Sequence, residues 1–219
     1  LGTVNMEIDI KDEVYVDKSM LIKVLNNKVN KKDRFICVSR PRRFGKTMAA
    51  NMIAAYYSKG CDSHEIFSDL KISKDPTFED NINRYTVIKL DINGAATGKG
   101  DKTIVQYYNE NVMPELMKAY PDVALSSDMS IAKALVSIYE ETGDKFVFII
   151  DEYDLPIRDG KYAKESDDYI AFLVSLFKSE ETNYTIALAY LTGIMPITKG
   201  KSQSGLNNFT EYTMVDADD

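Results

Sequence analysis

The densest group of chemically useful side chains is the run Arg40, Pro41, Arg42, Arg43, Phe44, Gly45, Lys46, Thr47 and Met48. A loop that grips phosphates needs backbone N–H groups turned inward at a helix start, a lysine reaching the β and γ phosphates, and a hydroxyl for Mg²⁺. Gly45, Lys46 and Thr47 supply the second half of that pattern, while Arg40 stands where the general pattern has its first glycine. Two further sets belong to the same chemistry. Asp151 and Glu152 follow the apolar run Phe146-Val147-Phe148-Ile149-Ile150, where one carboxylate can serve a metal shell and the next can accept a proton from an attacking water. Thr192 closes a later apolar run, where a hydroxyl can sense a γ-phosphate and hydrogen-bond that water. The expected site therefore has Lys46, Glu152 and Thr192 in catalysis and the whole loop from Arg40 to Met48 on the nucleotide. Thr47 and Asp151 are expected to serve the metal, with ATP and Mg²⁺ as the implied cofactors.

These residues need strands that end, and a helix that begins, at one place. Apolar runs of strand length fall at residues 34–39, 85–92, 146–150 and 184–191, and helical apolar spacing falls at 18–26, 45–59, 103–119, 130–141 and 168–179. The alternation predicts an α/β fold: a three-layer sandwich around a mostly parallel sheet, with its ligand at the carboxyl ends of the strands. The run at 146–150 is apolar at every position, which places it in the middle of the sheet. Residues 61–84 read as a polar loop pinned by Ile66, Phe67 and Leu70. A second glycine-lysine stretch, Gly94 to Gly100, has too short a spacing and no hydroxyl at the metal position, so it reads as a flexible loop.

Composition narrows the function. The chain has 219 residues, 44% of them hydrophobic, enough for a sizeable core. Its 34 acidic and 27 basic residues give a net charge of −7, which disfavours a surface built for nucleic-acid backbones. A module binding nucleic acid through Arg34, Arg40, Arg42 and Arg43 is disfavoured on the same ground, and because no aromatics interleave with them. Cys37, Cys61 and His64 are too few and too scattered for a disulfide framework or a zinc site, and His64 reads as a surface residue. No apolar run reaches the length of a membrane span, so no membrane partner is expected and the location reads as cytoplasmic. Asp154 is expected to face solvent or pair with Arg158.

The chain resembles the AAA-ATPase-like family of P-loop proteins. The resemblance is carried by Tyr15-Val16-Asp17-Lys18, by Ser39 to Thr47, by Asp151-Glu152-Tyr153-Asp154, by Thr192-Gly193-Ile194-Met195-Pro196-Ile197 and by Ser204-Gly205-Leu206-Asn207-Asn208. In that family an arginine at the position of Arg40 is usual. The resemblance implies an additional-strand (AAA-like) sheet in the order 5-1-4-3-2, with the edge strand near or beyond the end of this chain. It also implies that residues 1–219 are one ATPase core of a larger protein, with 1–33 an N-terminal helical segment and 194–219 the start of a C-terminal extension. Members continue into helical and nuclease-like parts, so this piece is expected to turn nucleotide over slowly, as the motor or switch core of the whole. The alternative is a nucleotide-gated scaffold with negligible turnover. A protein partner or self-association is left open. Tyr15 to Lys18 are expected either to fold over the nucleotide base or to pack a leading helix on the sheet.

Overall fold

The computed structural model describes residues 3–11, 16–41, 44–197 and 205–213. Five strands, β1 (Phe35–Ser39), β2 (Thr86–Asp91), β3 (Phe146–Asp151), β4 (Ile186–Gly193) and β5 (Thr210–Tyr212), form one sheet in the order β2-β3-β4-β1-β5. Every pairing is parallel. This is the implied order read from the opposite edge, and the edge strand β5 lies within the chain.

Because successive side chains of a strand point to opposite faces, a sheet covered on both sides must be apolar on both. All six positions of β3 and all eight of β4 are buried. Phe35, Cys37, Phe146, Phe148 and Ile150 face one core, and Ile36, Val147, Ile149 and Tyr190 face the other. The first core is closed by α7 (Ile104–Ala119), α8 (Ile131–Thr142) and α10 (Ser166–Phe177), the second by α1 (Val4–Ile10), α2 (Met20–Asn26) and α3 (Lys46–Tyr57). Single helical turns complete the connections: α4 (His64–Phe67), α5 (Phe78–Asn81), α9 (Leu155–Arg158) and α11 (Glu180–Asn183).

The helix after the phosphate loop, α3, is buried at every residue from Ala49 to Tyr57, so it is apolar all round rather than striped. Its polar groups are spent inside. Asn26 of α2 donates to Tyr56 Oη (2.8 Å) and accepts from Tyr57 Oη (2.7 Å), while Tyr56 Oη donates to the Phe78 carbonyl (2.6 Å). Asn51 donates to Asp9 of α1 (2.8 Å). These bonds fix α3, and with it the loop at its head.

Two expectations are corrected. Residues 94–100 are not a flexible loop: α6 (Ile92–Gly98) runs through most of them. Asp91 caps it by accepting from Gly94 N (3.1 Å), and Ile92, Ala95 and Ala96 are buried beneath it. A Cβ at Gly94 would come within 2.7 Å of the Asp91 carboxylate, so glycine there serves the cap. The strand expected at 184–191 begins later, at Ile186, and runs through Thr192 to Gly193. The 61–84 connection holds short helical turns, with Phe67 and Leu70 buried as its pins.

Candidate functional site

The carboxyl ends of β1, β3 and β4 meet the head of α3, the place where parallel α/β sheets take ligands. Gly45 caps α3 in the left-handed region (φ 68°), a conformation open to glycine at little steric cost. Lys46 turns back over its own loop and donates to the carbonyls of Arg40 (2.8 Å) and Pro41 (3.0 Å). Arg40 N donates to the Gly193 carbonyl (3.0 Å), tying the loop to the end of β4. Arg42 and Arg43 lie outside the described residues.

Asp151 is the hub. It is 4% exposed, and it accepts from Thr47 Oγ1 at 2.7 Å on one carboxylate oxygen and from Thr192 Oγ1 at 2.5 Å on the other. The sequence-predicted Thr47, Asp151 and Thr192 thus come together from three separate elements. Thr192 is fully buried, and its hydroxyl is committed to Asp151. The donors Thr47 and Asp151 are hard oxygen ligands at the head of the loop, the set that Mg²⁺ accepts when nucleotide and waters fill the rest of its shell.

Glu152 follows with φ 56°. The other described non-glycine residues with positive φ are Asn30 and Asn83, a residue type that tolerates that region; a glutamate there is held at a cost of about 1–3 kcal/mol by its surroundings. What holds it is visible: Tyr153 N donates to the Thr192 carbonyl (2.9 Å) and Leu155 N to the Glu152 carbonyl (3.0 Å). The Glu152 carboxylate stands 3.7 Å from Arg158 Nη2.

Asp154 is corrected from solvent-facing to fully buried; its other expected role, pairing with Arg158, is present, with Nε at 2.9 Å. It also accepts from the N–H groups of Ile194 (3.2 Å) and Met195 (2.9 Å). No sequence pattern announced this residue as a structural tie between the ends of β3 and β4.

Beside the loop lies a chamber of about 400 Å³, within the range of roughly 300–1,000 Å³ common for small-molecule sites. Leu21, Val24 and Leu25 of α2, Ile36 and Val38 of β1, Tyr190 and Tyr212 line its apolar wall, and Lys18, Arg40 and Lys46 stand at its loop end. Arg40 Nε is buried there without a hydrogen-bond partner, a donor that an incoming acceptor would satisfy. Tyr15 lies outside the described residues.

The other candidates stay apart. Cys37 is buried in β1, where desolvation pushes its thiol far up, and Cys61 is half-buried elsewhere. His64 lies 3.0 Å from Asp62 and 3.3 Å from Glu79 on the surface. Those neighbours, Asp62 foremost, raise its pKa. The contribution to stability is then complete below the unfolded value of about 6.5 and lost as pH rises through the folded one. As it is the only histidine in the chain, its ring-proton NMR titration should give a midpoint above about 6.5, and a lower midpoint would remove both ion pairs from solution. Among the described residues no helix is long and apolar enough to cross a membrane.

The chain is 22% identical over 181 residues to an uncharacterized protein in the vnfD 5′ region of Azotobacter chroococcum mcd 1, covering 81% of this chain and 34% of that protein. It therefore spans about a third of that relative's length. The solved structure of the Aeropyrum pernix ORC2 protein, in ADPNP and ADP complexes, aligns over 94% of this chain and 51% of its own at 12% identity, with a TM-score of 0.49. A family described as "Predicted AAA-ATPase" matches residues 4–201, a span that takes in the loop, the Asp151 hub and Thr192. The chain belongs to this AAA-ATPase-like family of nucleotide-binding P-loop proteins.

Proposed function

We propose that the chain binds ATP with Mg²⁺ and hydrolyses it, as the motor or switch core of a larger protein. The observation that carries this reading is the pair of hydroxyls, Thr47 and Thr192, converging on Asp151 beside Lys46. Lys46 is bound to two loop carbonyls and is free to exchange them for phosphate oxygens, to which a charge-assisted bond is stronger. Thr47 and Asp151 would hold Mg²⁺, which when bound neutralises charge developing on the phosphates. Thr192 orients Asp151. Glu152 accepts the proton of the water that attacks the γ phosphorus, giving ADP and phosphate. The apolar chamber takes the base.

A nucleotide-gated scaffold is the second reading, favoured by one contact: Arg158 Nη2 stands 3.7 Å from the Glu152 carboxylate, an ion pair that competes for the group hydrolysis would need. Measured turnover on MgATP separates the two.

The phosphate assignment is tested by calorimetric titration. Lys46→Ala should weaken ATP binding at least about tenfold, the scale of losing a hydrogen bond to a charged group worth about 1.5–3 kcal/mol. The Arg40–Gly193 backbone bond leaves the loop anchored in that variant. Unchanged affinity in a folded Lys46→Ala protein would place the phosphates elsewhere.

A further inference from the structure

Lys18 precedes the sheet by a whole helix, yet its ammonium donates to the Phe44 carbonyl of the phosphate loop (2.9 Å). It lies so close to Gly45 that a Cβ there would sit 2.6 Å from Nζ. The segment that aims it is tied down on both sides of the lysine. Asp17 accepts from Ser19 N (2.8 Å) and from Lys71 N (2.9 Å), and the fully buried Ser19 hydroxyl accepts from Ile72 N (3.1 Å). An exposed lysine usually spends its rotamer freedom in water. This one is directed.

The loop end of the chamber consequently carries Lys18, Arg40 and Lys46. Among the described residues no carboxylate pairs with any of the three: Lys18 and Lys46 are bound only by loop carbonyls, and Arg40 Nε has no partner. In a chain of net charge −7, a concentration of cations left without carboxylates fits a polyanionic ligand.

We propose that Lys18 is a nucleotide-binding residue, which exchanges the Phe44 carbonyl for a phosphate oxygen and so contributes a second ammonium to the site from outside the loop. The inference rests on the proposed phosphate site. It replaces the expectation that the Tyr15–Lys18 segment reads the base, as far as Lys18 is concerned, because its ammonium is directed to the loop and not to the apolar wall.

The test compares the parent chain, Lys18→Met and Lys18→Arg by calorimetric titration with ATP, ADP and adenosine, alongside thermal melting. Lys18→Met preserves length and removes charge. It should weaken ATP about tenfold, on the scale of a lost charge-assisted bond, and leave adenosine affinity and melting temperature unchanged. Lys18→Arg should recover most of the ATP affinity. Equal ATP affinity in Lys18→Met and the parent overturns the proposal and leaves the Lys46 assignment standing. An equal loss for ATP and adenosine, or a loss of ATP affinity that Lys18→Arg does not relieve, overturns it in favour of packing. If the parent binds adenosine but gains nothing from the phosphates of ATP, the phosphate site and this proposal fall together.

Discussion

Glu152→Gln should bind MgATP as tightly as the parent and hydrolyse it about 10²–10⁴-fold more slowly, the range that a positioned general base contributes. The substitution is close to isosteric, and it keeps the left-handed backbone that Tyr153 N and Leu155 N fasten on either side of the residue. It leaves Lys46, Thr47 and Asp151 untouched, so ground-state binding has no reason to change. The amide cannot take a proton from water. It also loses the charge that attracts Arg158 Nη2 at 3.7 Å, but Arg158 remains held by Asp154 at 2.9 Å, so the surrounding turn stays in place. Asp151→Ala should behave differently, weakening the Mg²⁺ dependence of binding, because it removes the acceptor shared by Thr47 and Thr192. Equilibrium titration with MgATP and a steady-state phosphate-release assay on the same protein give both quantities. Hydrolysis by Glu152→Gln at the parental rate would mean that another group receives the proton.

Much of this site is legible in the sequence because its parts sit at strand ends, and strand ends are marked by where an apolar run stops. Phe146 to Ile150 stop at Asp151; the run containing Phe35 to Val38 stops before the loop; Ala187 to Leu191 stop at Thr192. β5 gives no such mark: Thr210, Glu211 and Tyr212 are all half-buried, with no apolar core-facing run, so its place came from family resemblance and not from periodicity. The α6 segment misleads for a different reason. Its glycines signal a loop, yet Asp91 caps the helix start and the buried Ile92, Ala95 and Ala96 hold it down, a tertiary gain that outweighs propensity. The buried tie at Asp154 and the aim of Lys18 are invisible for a third reason. Each depends on partners far along the chain, Met195 for one and Phe44 for the other, and neither spacing follows a strand or helix period.

The largest structural effect should come from that buried tie. Asp154→Ala removes at once the ion-pair partner of Arg158 and the acceptor of the Ile194 and Met195 N–H groups. Breaking a buried pair from one side is destabilising by about 3–5 kcal/mol, because the remaining charge is left uncompensated. Arg158 keeps a side-chain exposure of 20%, through which water can relieve part of the loss, so the lower end of the range applies. For a chain of this size about 3 kcal/mol corresponds to a fall in melting temperature of roughly 6–12 °C. The position has little room to adapt: a Cβ at Gly193 would come within 2.7 Å of both Asp154 Oδ1 and the Tyr153 ring, so β4 and the 152–154 turn are in direct contact here. Arg158→Met alone should also destabilise, by stranding a buried carboxylate that retains only its two backbone donors. Combining Asp154→Asn with Arg158→Met should cost less than the two separate losses added together, since an amide still accepts from Ile194 and Met195 and no charge is left unpaired. Scanning calorimetry of the parent, Asp154→Asn, Arg158→Met and the double variant measures the coupling. Additive losses, or an Asp154→Ala protein melting within about 1 °C of the parent, would show that the Ile194–Met195 turn is held by other contacts and that Arg158 answers to Glu152 alone.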